Sequence, residues 1–222
     1  MLIGVTGFIA GSIHVWSGPD HLSAIAPLAV RRRRNSWLAG FRWGLGHSAG
    51  VLLVGLLSLW LRGLIPVAWL SHWGERLVGV MLIGIGLWGF RSVLQKHVHT
   101  HSHSHDGEDH VHVHVHVSAE GHDDISSHRH LHLAFGIGVL HGLAGSSHFL
   151  GILPALAFPT LSEALIYIVS FGIGTIASMA VFAALMGRLA GRLDAGTGRP
   201  FRFLQSCCAS AALAVGCFWL FV

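Results

Sequence analysis

The sequence predicts an all-α integral membrane protein: six transmembrane helices in a 3+3 inverted repeat, with discontinuous first and fourth helices. Three observations lead there. Of 222 residues, 52% are hydrophobic and 11% are charged, with a mean hydropathy of +0.62, whereas soluble domains carry about 25% charged residues. Apolar runs long enough to cross ~30 Å of hydrocarbon recur along the chain. One polar motif, H-x3-G-x2-H-x3-I-x-P, occurs twice inside those runs, at His14–Pro27 and again 127 residues later at His141–Pro154.

The expected spans are 3–30, 37–61, 74–94, 133–158, 162–186 and 203–221. No basic region precedes the first run, which continues straight into the first motif, so it is not expected to be a cleaved signal. The first and fourth spans are long for a single crossing, and these two carry the duplicated motif. In an unbroken helix His14 and His21 share a face but stand about 10.5 Å apart in rise, too far for two nitrogens that must each lie about 2.1 Å from one ion. Ser17-Gly18-Pro19 resolves this. Pro19 cannot donate to the Val15 carbonyl and Gly18 tolerates unusual dihedrals, so the helix is expected to break there and draw Asp20-His21 towards His14. Gly142 and Gly145-Ser146-Ser147 offer a similar break in the fourth span, without a proline.

In the second span, Trp43-Gly44-Leu45-Gly46-His47-Ser48 is echoed in the fifth by Phe171-Gly172-Ile173-Gly174-Thr175-Ile176. Three spans per half is an odd number, which inverts the second half relative to the first, a plan common among secondary transporters. The domains are therefore a first half at 1–94, a loop at 95–132 and a second half at 133–222. Of the 14 basic residues, only Arg62 and Arg76 fall on the side opposite Arg31–Arg34. That bias puts both termini outside the cytoplasm and the 95–132 loop inside, in the cell's inner membrane. The basic residues are dispersed around the spans, so the net charge of +4 does not suggest nucleic-acid binding. Cys207, Cys208 and Cys217 form no CxxC pair and are expected to be inert buried thiols.

Residues 97–132 hold 13 of the 19 histidines, alternating strictly in places. Such tracts bind transition metals by composition. A mostly disordered cytoplasmic loop is expected, buffering metal near the membrane. Six histidines lie outside it: His14, His21, His47, His72, His141 and His148. His72 is expected in an outer loop. Asp20 is the acid placed deep in a span, at a cost of ~2.5–3.5 kcal/mol on insertion scales that a bound dication would offset. Neutral imidazole suits nickel, cobalt, zinc and copper, and a carboxylate adds charge compensation. The expected metal ligands are His14, Asp20, His21, His47, His141 and His148.

His14-x5-Asp20-His21, with its Ser-Gly-Pro core, resembles the H-x4/5-D-H signature of the nickel/cobalt transporter superfamily. Leu45-Gly46-His47-Ser48 resembles that superfamily's L-G-H-S signature. The segment from His141 to His148 is similar to that of the six-helix branch of urease-accessory-type membrane proteins. The resemblance implies transport of Ni2+ or Co2+, with His14, Asp20, His21 and His47 at the ion site and no resident cofactor. Zn2+ fits the same ligands, and a cytoplasmic metallochaperone is a compatible partner. The chain departs from the eight-helix permeases in its fewer spans, its extra residue between His14 and Asp20, and Ser147 in place of a second aspartate. Two readings stand beside transport of these ions. An intramembrane metal-dependent enzyme would call for an H-E-x-x-H pair or clustered His boxes, neither of which the spans contain. A carrier of another solute, such as an anion, would call for a deep basic residue. The protein is thus expected not to be an enzyme, while metal identity, direction and oligomeric state stay open.

Overall fold

The apolar segments fold as helices throughout the described residues. The computed structural model describes residues 2–32, 35–60, 67–94, 98–105, 108–115, 124–144, 153–194 and 199–221. In chain order the helices are α1 (Leu2–Ser17), α2 (Pro19–Arg32), α3 (Ser36–Trp60), α4 (Val67–Leu94), α5 (Asp124–Ala144), α6 (Leu161–Asp194) and α7 (Arg199–Phe221), with a short 3-10 turn at Leu153–Ala157. Among the described residues, 73–94, 161–194 and 199–221 are long and apolar enough to cross a membrane by length and composition.

The segment expected as the first span is divided into two helices, as expected. α1 ends at Ser17 and α2 begins at Pro19, with Gly18 between them. The Gly18 amide closes α1 on the His14 carbonyl (3.2 Å), and the Gly18 carbonyl accepts from the His21 and Leu22 amides (3.1 and 3.3 Å) to open α2. One glycine thus serves as the end of one helix and the cap of the next. In the fourth span α5 ends at Ala144, and the expected break at 145–147 lies outside the described residues, as does His148.

Several boundaries differ from expectation, for a common reason. Hydropathy marks where lipid is met, not where hydrogen bonding stops. α6 continues through Arg188 and Arg192 to Asp194, because its leucines, alanines and arginines are good helix formers beyond the apolar zone. α5 begins at Asp124, inside the histidine tract, and α4 begins at Val67, so position 72 is helical rather than in a loop. Thr160 and Glu163 fix the start of α6 with a reciprocal cap. The Glu163 amide donates to Thr160 Oγ1 and the Thr160 amide to Glu163 Oε2, each at 3.3 Å.

Within 95–132, expected to be a loop, Val98–His105 (β1) and Glu108–Val115 (β2) pair as an antiparallel hairpin. The strict alternation of the tract has the period of a strand. The register sets His99 opposite His114, His101 opposite His112 and His103 opposite His110.

Polarity is arranged inside out. On α6, Leu161, Leu165, Ile166, Val169, Ile173, Val181 and Leu185 are exposed, while Gly174, Thr175 and Ser178 are buried. That distribution suits a hydrocarbon solvent, in which small and polar residues draw helices together. The thiols follow it too. Cys208 is buried, but Cys207 and Cys217 lie on the exposed face of α7, which corrects the expectation that all three are interior.

The helices meet backbone to backbone. α1 packs along α6, α3 along both α5 and α6, α4 along α7, and α2 lies among α3, α6 and α7. A Cβ on Gly11 would overlap the Phe171 carbonyl, and one on Gly138 would overlap the Trp43 carbonyl. Likewise a Cβ on Gly174 would overlap the Phe8 carbonyl, and one on Gly46 the Phe135 carbonyl. The core between these pairs holds Val15, Ile25, Leu28, Trp43, Leu82 and Met179. At its Arg-rich end the Arg31 guanidinium lies 4.4 Å from the Trp88 ring centroid, a cation–π contact.

Candidate metal centre

The break at Gly18 builds the site. It turns the chain so that the His14 and His21 rings meet edge to face with centroids 4.6 Å apart, far closer than a straight helix would bring them. Gly18 has no room for a side chain. A Cβ there would press on His21 Nδ1, lie 2.9 Å from Asp20 Oδ1 and 3.1 Å from the His14 carbonyl. Asp20 falls in the first turn of α2, where a carboxylate offsets the positive end of the helix dipole that would otherwise oppose a cation.

Asp20 links two distant parts of the chain. Its Oδ1 accepts from His21 Nδ1 at 2.9 Å, and its Oδ2 accepts from His141 Nε2 at 3.0 Å. A neutral imidazole that donates from one nitrogen carries its lone pair on the other, so the carboxylate orients both rings and sets their tautomers, as outer carboxylates do for metal-bound histidines. His47 on α3 completes the group, with its ring centroid 4.9 Å from that of His21 and 5.5 Å from that of His141. Asp20 is 5% exposed, His21 and His47 are 1% and His141 is 0%, whereas His14 is half-buried. Of the six expected ligands the structure therefore gathers five: His14, Asp20, His21, His47 and His141. His148 lies outside the described residues.

Two aromatic residues not singled out by the sequence frame the site. Trp43, fully buried, stacks on His47 at 5.3 Å and 6° and also lies 5.0 Å from His141 and 5.8 Å from His21. Phe171 lies 5.5 Å from His14. The signal was present in the echo between the second and fifth spans, where Trp43 and Phe171 occupy matching positions four residues before His47 and Thr175. Thr175, in the place corresponding to His47, donates to the Phe171 carbonyl at 3.0 Å.

We expect Trp43→Phe, which keeps a flat ring against His47, to hold metal affinity within about threefold. Trp43→Leu should lower it by ~10- to 100-fold, as losses of ligand-orienting groups do. Cobalt titration of the purified variants checks this, and equal affinities would show that the indole only fills space.

Among the described residues, two groups have donor atoms all within 4.8 Å of one another: His14, His21 and His47, and Asp20, His21 and His141. Imidazoles with one carboxylate suit a borderline dication such as Ni2+, Co2+ or Zn2+. Buried polar groups this deep in an apolar bundle are costly and mark function.

The chain is 32% identical over 183 residues to Chloroplast protein FOR GROWTH AND FERTILITY 1 of Arabidopsis thaliana, covering 82% of this chain and 48% of the plant protein. It thus spans about half the length of that relative. A shorter match, 27% identical over 100 residues and covering 44% of this chain and 47% of the relative, is to a protein of Methanocaldococcus jannaschii named as a candidate nickel/cobalt efflux system. No family model matches the chain, and no solved structure does. The urease accessory protein UreH of Bacillus sp. (strain TB-90) is 32% identical over 183 residues, which are 82% of this chain and 74% of UreH. At that identity and coverage, the chain belongs to the family of the urease accessory protein UreH.

Proposed function

We propose that the protein carries a divalent transition-metal cation, Ni2+ or Co2+, across a membrane by alternating access through the cluster around Asp20. The observation that carries this reading is the buried Asp20 carboxylate held between its neighbour His21 and His141, which lies 121 residues from Asp20 in sequence, with His14 and His47 beside it. The ligands come from helices of both halves, and relative motion of two halves about a shared site is how such carriers work. For that reason we read the centre as a carrier site rather than a catalytic one.

The six-span inverted repeat is supported by contacts that recur when the halves are exchanged. The approach of Gly11 to the Phe171 carbonyl answers that of Gly138 to the Trp43 carbonyl, and Gly174 on Phe8 answers Gly46 on Phe135. Gly11 and Gly138, like Phe8 and Phe135, are related by the 127-residue offset of the duplicated motifs, whereas Trp43 and Phe171, like Gly46 and Gly174, are related by the 128-residue offset of the weaker echo. His14 against Phe171 at 5.5 Å likewise answers His141 against Trp43 at 5.0 Å. Gly79 and Gly216 meet reciprocally, each Cβ 2.8 Å from the other's carbonyl oxygen, as a contact lying on the exchange axis would.

The names of two relatives, one an accessory protein of urease and one tied to nickel/cobalt efflux, favour these two metals over the others that the ligands would accept. The proposed location is the inner (plasma) membrane with both termini outside, which puts the histidine tract in the cytoplasm, where it would buffer metal or meet a metallochaperone. Metal content of cells with and without the protein, measured for nickel, cobalt, zinc and manganese, tests the reading. A change confined to nickel or cobalt and absent with His21→Ala is expected, a rise indicating import and a fall export. No change in any metal would remove the proposal.

A further inference from the structure

The ligand-capable side chains do not close around a single point. They form two triads that share His21: His14, His21 and His47 on one side, and Asp20, His21 and His141 on the other. The His21 ring stands edge-on between them, 4.6 Å from His14, 4.9 Å from His47 and 4.7 Å from His141. The triads differ in chemistry, in access and in origin. The first is all imidazole, and its His14 is half-buried. The second contains the carboxylate and is buried throughout. The first draws only on α1, α2 and α3, whereas the second joins α2 to α5 across the two halves.

We propose that these are two successive positions for the transported ion, an outer one at His14–His21–His47 and an inner one at Asp20–His21–His141, and that the ion passes between them by exchange at His21. This deepens the transport reading and rests on it. The outer triad offers neutral nitrogen ligands to an ion that still keeps part of its water. The inner triad offers the negative charge that a dication needs once water is excluded and the dielectric falls. In the structure the hydrogen bonds from His21 and His141 occupy the Asp20 carboxylate, so an ion takes the inner position only as each imidazole that ligates it through its donating nitrogen carries its proton on the other ring nitrogen instead. A neutral imidazole has one lone pair at a time. An ion moving from the outer to the inner position therefore trades one nitrogen of His21 for the other, the ring proton moving the opposite way. His21 can serve only one position at once, so a single ion is held.

The test uses purified full-length protein whose 13 tract histidines are replaced with serine, so that only the buried ligands report, with Co2+ as the probe. Affinity, optical bands and X-ray absorption are read for the parent and for His14→Gln, His141→Gln and His21→Ala. The expected result is a single bound Co2+ in the parent and in both Gln variants. The His14→Gln spectrum should show oxygen and nitrogen ligation, and that of His141→Gln should be richer in imidazole. His21→Ala should lose affinity by more than ~100-fold, beyond the range typical of outer-shell changes.

Loss of the ion from His14→Gln as complete as from His21→Ala would overturn the two-position scheme in favour of one shared site, as would identical spectra in the two Gln variants. Failure of the parent to bind Co2+, or parent-like binding by His21→Ala, would instead strike the transport reading itself. If a Gln variant does not fold, Asn at the same position carries the same comparison.

Discussion

Asp20→Asn is expected to reduce metal transport to about 1% or less of the unaltered protein, a loss of ~2.7 kcal/mol in transition-state terms at 1.36 kcal/mol per tenfold, while the chain still folds. The two halves of this expectation have different causes. An aspartate deep in a span costs ~2.5–3.5 kcal/mol on insertion scales, so removing its charge relieves a penalty even as it weakens the hydrogen bonds from His21 Nδ1 and His141 Nε2. Stability should therefore change little. A bound cation would lose the negative charge of Asp20, and among the described residues the two ligand groups contain no other carboxylate to offset that loss. Asp20→Glu, which keeps the charge but displaces it by one methylene, should fall between the two. Uptake or efflux of labelled nickel by cells expressing matched amounts of each variant decides the matter. Transport by Asp20→Asn at the unaltered rate would show that the carboxylate only orients its neighbours.

Gly138→Ala is the second large effect expected, and it acts through the backbone. The added methyl would overlap the Trp43 carbonyl and lie 3.0 Å from the His47 amide nitrogen, so α5 and α3 must part. Overpacking of this kind costs ~1–3 kcal/mol. It also separates the helices that bear His47, His141 and Trp43, and a displacement of ~1 Å at a positioned site can cost about 100-fold in rate. Gly136 provides the control. It lies on the same helix two residues earlier, and nothing stands within 4 Å of a Cβ built there. Gly136→Ala should be neutral or stabilise by up to ~1 kcal/mol through helix propensity. Thermal unfolding in detergent together with transport measures both variants. Equal behaviour would mean that the close approach of α3 and α5 is not needed.

Much of the site was legible because two of its signals are chemical rather than conformational. Ser17-Gly18-Pro19 announces a break whatever surrounds it, since Pro19 lacks the donor a continuous helix requires. The duplicated His-x3-Gly-x2-His spacing announces that His141 belongs with His14 and His21 although no local feature connects them. Trp43 and Phe171 were harder to single out, because an aromatic residue in an apolar segment reads equally well as lipid-facing. Only the packing shows which side of the helix each one takes. The glycines carried a similar ambiguity. Gly136 and Gly138 look alike in sequence, yet only the second meets another backbone. Helix ends were displaced wherever a helix continues past the apolar zone, as α6 does through Arg192. Pairing of the tract was not legible because its histidine-rich composition marks a disordered loop, whereas its period of two suits a strand only once a partner strand is present.

The most direct measurement is nickel flux into liposomes that contain only the purified protein and lipid. A saturable flux above that of empty liposomes is expected, reduced to background by His21→Ala. Flux through His21→Ala equal to that of the unaltered protein would contradict it.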